Sequence, residues 1–299
     1  MRILVTGGAG FIGSNLALTL EKKGHDVIVI DDFRSSKFEN LKGFQGDVIC
    51  GDISEQDLFS LGHVDVIFHQ AAITDTLVTD EHEMMKINVD GFKHILSFAE
   101  KNTSKVIYAS SAGVYGNNPA PHKESDMVNP LNAYARSKRE MEVIAQNFRG
   151  SIPLLIGLRY FNVYGPRERY KKHAASMIYQ LAQQMKAGKR PRIFTFGDQQ
   201  RDFIYVKDVV EANLLAMNAK ENCIVNVGTG KPESFNTMIH LLNNVLGTSL
   251  EPDYFDNPYD FYQNLTCADI TLAKEKIGFS ARYSLAEGIT DYFREDQIT

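Results

Sequence analysis

Tyr134 and Lys138 stand four positions apart in the stretch "AYARSK", with only small or polar residues between them. A free phenol ionises near pH 10, so a tyrosine that moves protons at neutral pH needs a neighbouring cation to stabilise its anion. Residues i and i+4 share a helix face, which brings a lysine ammonium close to the phenol without special folding. A hydroxyl bound to the same substrate oxygen would complete an acid/base group. Ser110-Ser111 ends the strand-like run before this helix, and Ser111 is the expected partner. Alone, a tyrosine and a lysine four apart are more often an exposed helical turn, and the N-terminus decides between the two readings.

There, Val5-Thr6-Gly7-Gly8-Ala9-Gly10-Phe11-Ile12-Gly13 follows a first strand and opens a helix. A tight turn needs positive φ, the backbone must approach a pyrophosphate closely, and a new helix presents unpaired N–H groups to it. Gly7, Gly10 and Gly13, with Phe11 and Ile12 between them, meet these needs for a dinucleotide. Asp31 and Asp32 end the second strand, 18 residues beyond Gly13, where a carboxylate accepts hydrogen bonds from ribose hydroxyls and favours NAD. Arg34 and Lys37 lie just downstream and could neutralise a 2'-phosphate, which keeps NADP as the alternative. Asp52 and Ile53 suit the adenine rim, and Gln70, Ala71 and Ala72 are placed to pass under the dinucleotide.

The elements that must position these groups are legible as alternation. Strands are expected at Arg2 to Thr6, Asp26 to Ile30, Asp47 to Cys50, Asp65 to His69, Lys105 to Ser110 and Pro153 to Tyr160. Long helices are expected from about Glu81 to Lys101 and Asn132 to Phe148, with enough apolar surface to pair copies of the chain. Parallel strands joined by crossover helices define an α/β, Rossmann-type doubly wound sheet. After Asn162 the pattern loosens, predicting a smaller mixed α/β lobe over the sheet's carboxyl edge. The division expected is 1–162 and about 198–228 for the dinucleotide, about 163–197 and 229–299 for substrate. With 43% hydrophobic residues, a net charge of -5 and no basic block, the 299-residue chain is expected to bind neither nucleic acid nor membrane. Cys50, Cys223 and Cys267 are too scattered for a disulfide framework or a metal site, which fits a cytoplasmic protein.

Taken together these residues resemble the extended, sugar-nucleotide-modifying branch of the short-chain dehydrogenase/reductase superfamily. The resemblance rests on the glycine triplet, Asp31, Asn88, "SSAGVYG" from Ser110, "YARSK", and "RYFNVYGPRE" from Arg159 to Glu168, and it spans essentially the whole chain. It implies a bound NAD(P) contacted also by Asn88 and Val163, with Tyr134 as acid/base on a sugar hydroxyl during hydride transfer. Ala112 and Gly113 stand where 4,6-dehydratases carry acidic residues, which argues against dehydration.

The second half is similar to heptose 6-epimerases acting on ADP-glycero-manno-heptose, through "FNVYGPRERYKKHAASM", "RDFIYVKDV", "NVGTGKPESF" and "FYQNLTCADITL". That similarity implies Lys171 as a second acid/base residue. It also implies a nucleotide-diphosphate sugar gripped by Asn162, His173 and Arg201, with Gln180, Phe194 and Tyr262 at further substrate positions, in a homodimer or larger homo-oligomer. A UDP-hexose 4-epimerase would need the same Tyr134 and Ser111 without Lys171, and a non-catalytic NAD(P)-binding regulator would need none of them.

Overall fold

The computed structural model describes residues 1–75, 80–257 and 263–295. The first half alternates as expected: β1 (Arg2–Thr6), α1 (Phe11–Lys22), β2 (Asp26–Asp31), β3 (Asp47–Cys50) and β4 (Val66–His69) lead to α2 (Glu81–Met85) and α3 (Gly91–Asn102). Next come β5 (Lys105–Ser111), α4 (Ala133–Asn147), β6 (Leu155–Tyr160) and β7 (Asn162–Tyr164). The second half holds α5 (Met177–Lys186), β8 (Arg192–Phe194), β9 (Gln200–Arg201), β10 (Phe203–Tyr205), α6 (Val206–Ala216) and β11 (Cys223–Val227). It ends with β12 (Glu233–Ser234), α7 (Phe235–Leu246), β13 (Asp253–Phe255), α8 (Thr271–Ile277) and α9 (Leu285–Glu295).

Seven strands form one parallel sheet in the order β3-β2-β1-β4-β5-β6-β11. Chain order reverses between β1 and β4, and ligands of open α/β sheets bind beyond the strand ends at such a reversal. The apolar period of two explains the layering. Ile3 and Val5 face a core shared with α1, α6 and α8, whereas Leu4, Ile28 and Ile30 face one shared with α3 and α4. A third core joins α5, α7 and α9 beside β8 and β10 and builds the smaller lobe. There, β8 pairs with β13 and β9 with β12, apart from the main sheet. Among the described residues no helix is long and apolar enough to cross a membrane.

The helix expected from about Glu81 to Lys101 is continuous but not uniform: a π-helical turn, Lys86–Asp90, separates α2 from α3. Inserting one residue per turn re-aims the side chains there. It turns Asn88 inward, where its Nδ2 donates to the Ile73 carbonyl (3.1 Å) and Ser137 Oγ (2.9 Å) and its Oδ1 accepts from Ile73 N–H (2.8 Å).

Close packing at the first turn leaves no room for a side chain at Gly13, where a Cβ would lie 2.1 Å from the Gly7 carbonyl oxygen; at Gly10 it would lie 3.1 Å away. Gly13→Ala is therefore expected to lower the unfolding free energy by roughly 2 kcal/mol or more, and Gly10→Ala by clearly less. Denaturant titration of both variants checks the ranking.

Candidate active site

The strand ends around the reversal open into a cavity of about 450 Å³. Gly7, with φ of +65°, turns the chain out of β1 so closely under Ala71 that a Cβ would approach its nitrogen to 2.6 Å. Gly10 opens α1 with no side-chain cap, leaving first-turn N–H groups and the positive helix end at the cavity wall. Gly7, Gly10, Phe11, Ile12 and Gly13 line this end together with Asp31, Asp32, Arg34, Asp52 and Ile53. Gln70, Ala71, Ala72 and Val163 line the middle, and Ser111, Tyr134, Lys138, Lys171 and His173 line the other end.

At the β2 end, Asp31 is buried and largely occupied. It accepts from Ala9 N–H (2.9 Å), Phe33 N–H (2.9 Å) and Ser36 Oγ (2.8 Å), buckling the glycine loop to the strand. Burial pushes its carboxyl above the usual range against those hydrogen bonds. Arg34 is held by three carboxylates: it pairs with Asp32 and lies 3.4 Å from Asp52 and 3.5 Å from Glu83. Burial raises the Asp52 carboxyl, but hydrogen bonds from Ser54 and the charge of Arg34 hold it below its ordinary value. Lys37 is exposed and lies outside the cavity lining.

The acid/base end is set by α4 and β5. Asn132 caps α4 by accepting from Ala135 N–H (2.8 Å), which places Tyr134 in the first turn beside the β5 terminus. The Ser111 hydroxyl is a hydrogen-bond partner of the Tyr134 side chain and also accepts from Gly113 N–H (3.1 Å). Burial pushes the Tyr134 phenol up, and the Ser111 bond pulls the other way. Ser110, by contrast, points into the protein and donates to Glu142 (2.6 Å). Lys138 is buried, donates from Nζ to the Ala109 carbonyl (2.9 Å), and sits 5.9 Å from the Tyr134 ring centre. Burial pulls its amine down to about 7. The lysine expected as a fixed ammonium is thus one whose proton is easily lost.

Lys171 reaches the same cavity from the segment after β7, its Nζ 5.7 Å from the Phe11 ring centre. Burial lowers its amine too, while the charge of Glu168 raises it. Glu168 is itself buried and accepts from Gly165 N–H, Ser176 N–H and Ser176 Oγ. Asn15 of α1 ties down the same segment through the Pro166 carbonyl (3.0 Å) and Arg167 Nη1 (2.9 Å). His173 Nε2 is bound 2.5 Å from Asp75, so its imidazole is engaged by a carboxylate across the cavity.

Other expected residues lie elsewhere. Asn88 spends its amide on Ile73 and Ser137 and is absent from the lining, because the π turn directs it between helices. Asn162, Gln180, Phe194 and Arg201 are also outside the lining. Gln180 Nε2 donates to the His173 (3.0 Å) and Ala175 (2.8 Å) carbonyls, Phe194 packs edge-on to Phe255, and Arg201 sits in the β9–β12 pair. Asn162 Oδ1 accepts from Thr266 Oγ1 (3.4 Å), and Tyr262 lies outside the described residues. Sequence reasoning missed Tyr160, whose hydroxyl donates to Gln70 Oε1 (3.2 Å) and which lines the cavity. It also missed Asp75 and the buried His69, bound through Nδ1 to Thr6 Oγ1 (2.8 Å). Tyr160 lay inside a recognised motif; Asp75 carried no local signal.

Residues 3–228 match the NAD dependent epimerase/dehydratase family, and the chain belongs to it. Along its whole length it is similar to the ADP-L-glycero-D-manno-heptose-6-epimerase of Helicobacter pylori, with 40% identity and a TM-score of 0.93, covering 96% of that chain. The UDP-glucose 4-epimerase of Thermotoga maritima, solved with UDP-glucose, is 34% identical with a TM-score of 0.91, over 99% of this chain and 100% of that one. The UDP-glucuronic acid 4-epimerase of Bacillus cereus, solved with UDP-glucuronic acid and NAD, is 29% identical with a TM-score of 0.88, over the full length of both.

The depressed Lys138 amine makes a pH prediction. Below about 7 the group is charged in folded and unfolded chains alike. Between about 7 and 10.5 only the unfolded chain keeps the proton, so the folded state gains stability as pH rises through that window. Wild type is therefore expected to gain on Lys138→Met in unfolding free energy between about pH 7 and pH 9. Parallel stability curves would contradict it.

Proposed function

We propose that this protein is an NAD-using nucleotide-sugar epimerase that inverts C6 of ADP-glycero-manno-heptose. The observation that carries this reading is a second amine, the half-buried Lys171, lining the same cavity as Tyr134 and Ser111. The 40% identity to the Helicobacter pylori enzyme over the full chain supports the sugar.

The glycine loop fits a dinucleotide: its helix end is uncapped by any side chain, and Gly10, unlike Gly13, has little against the place of a Cβ. Asp32 and the remaining capacity of Asp31 would hold the adenosine ribose. The three carboxylates around Arg34 offset its charge, which disfavours a 2'-phosphate and supports NAD over NADP. Bound there, NAD would supply a hydride acceptor for the carbinol carbon and a donor for the return.

The chain's own residues handle the protons. Tyr134, as phenolate, takes the C6 hydroxyl proton while Ser111 donates a hydrogen bond to the same oxygen, and Lys138 in its charged form favours the phenolate. The resulting aldehyde sits on a side arm, and rotation about C5–C6 offers its other face and moves its oxygen. Lys171 then protonates the oxygen there; burial, by loosening its proton, makes it a better acid. Tyr134 ends protonated and Lys171 neutral, and exchange with solvent resets both. Asn162, Arg201 and His173 are the proposed diphosphate contacts, which requires His173 to leave Asp75. The proposed division is a dinucleotide part (1–162 and about 198–228) and a substrate part (about 163–197 and 229–299); the core that α5, α7 and α9 build supports it, whereas α8 packs on the main sheet.

Incubation with ADP-D-glycero-manno-heptose, with the C6 configuration followed by NMR, tests the reading. Inversion is expected, with losses of roughly a hundredfold or more in kcat for Tyr134→Phe and Lys171→Ala. Full retention by the NAD-loaded protein would defeat it, and undiminished activity of Lys171→Ala on UDP-hexoses would favour 4-epimerisation.

A further inference from the structure

Helix α4 carries a further ionisable group, itself buried, in the row that begins with Tyr134 and Lys138. Glu142 is one helical turn beyond Lys138 and fully buried. Its two oxygens accept from Arg159 Nε and Nη2, each at 2.8 Å, in a two-point fork. The same carboxylate accepts from Ser110 Oγ at 2.6 Å and from Arg139 Nη1 at 3.2 Å. Ser110 and Arg159 are register partners on β5 and β6, one position before the Ser111 and Tyr160 pair. One helix row is thus tied to two strands at three points: Lys138 to Ala109, Glu142 to Ser110, and Glu142 to Arg159.

Such an ion pair is a poor way to gain stability, because desolvating both charges offsets most of their attraction, and an apolar pair of similar volume often does as well. A forked carboxylate–guanidinium contact does supply a single permitted geometry. The Arg159 guanidinium is fixed further by stacking 4.8 Å from the Tyr115 ring centre, although its Nη1 finds no hydrogen-bond partner among the described residues. A slide of α4 by one residue would move Tyr134 by about 1.5 Å along the helix axis, and an error of about 1 Å in a reacting group lowers rates by roughly a hundredfold.

We propose that Glu142, acting through Ser110 and Arg159, is a positioning residue that fixes the rotation and axial setting of α4 and so keeps Tyr134 within reach of Ser111. The inference rests on the acid/base role given to Tyr134 above. It predicts that the ion pair matters for turnover rather than for folding.

The double variant Glu142→Met/Arg159→Met, which fills the site with apolar volume, tests this in the NAD-loaded protein. Thermal midpoint close to wild type, KM within about twofold and kcat lower by roughly tenfold or more are expected, with the rising limb of the pH–rate profile moved to higher pH. Unchanged kcat in the folded variant would overturn the proposal. A second readout needs no turnover: the rate at which a small arylsulfonyl fluoride labels Tyr134, followed by peptide mass spectrometry. About tenfold slower labelling is expected, since labelling requires a phenolate stabilised by its neighbours; an unchanged rate would overturn the proposal. If wild type turns over no nucleotide sugar, the functional reading fails while labelling still judges the positioning role. Should the double variant not fold, Ser110→Ala, which keeps the ion pair but cuts the tie to β5, is judged by the same readouts.

Discussion

The rest of the site depends on a buried amine with no carboxylate paired to it among the described residues. Lys138 is desolvated beside the ends of β4 and β5, and its Nζ donates to the backbone carbonyl of Ala109. Its charge is held loosely, and its neighbours include the buried His69 imidazole, whose pKa is lowered by burial and by that charge, and the Tyr134 ring one turn earlier on the same helix, 5.9 Å away. A paired lysine would stay charged but spend its field on its partner. An unpaired one stabilises whatever anion forms nearby, which is what a proton-transferring tyrosine requires.

That arrangement dictates much of the architecture. The reversal of strand order between β1 and β4 opens the cavity, and the glycine turn occupies one side of it without side chains. α4 must cross the sheet so that its first turn meets Ser111, and the Asn132 cap together with the Glu142 row sets that crossing. Opposite, the segment carrying Lys171 is irregular, so it is held by buried Glu168 and by Asn15 of α1 instead of by a ladder. Both lysines are loosened by burial; only Lys171 has a nearby carboxylate to oppose this, which gives the two amines different responses to pH.

Much of this was legible in the sequence because it is written in local periodicity. The six strands of the first half appear within about two residues of their expected bounds, since period-two burial on both faces leaves little freedom of register. The glycine spacing and the Tyr134–Lys138 interval are likewise short-range signals. What could not be read depends on contacts between residues far apart in the chain, 49 and 98 positions in the two cases below, or on local departures from regularity. The π turn that removes Asn88 from the cavity has no sequence signature, and the Asp75–His173 pair joins loops from opposite sides. Arg34 looked free to receive a phosphate because Glu83, 49 residues away, is invisible to a reading along the chain. The smaller lobe was expected only in outline, its short strand pairs being set by tertiary packing.

The most direct test of the account is the ionisation of the Tyr134 phenol, followed by NMR of 13C-labelled tyrosine in the NAD-loaded protein, with Tyr134→Phe identifying the resonance. Lys138→Arg, whose guanidinium keeps its charge where the phenol titrates, should show a midpoint lower than that of Lys138→Met by about one pH unit or more, as expected for a buried neighbouring cation. Equal midpoints would mean that a cation at this position does not act on the phenol, and the account of the site would fail with it.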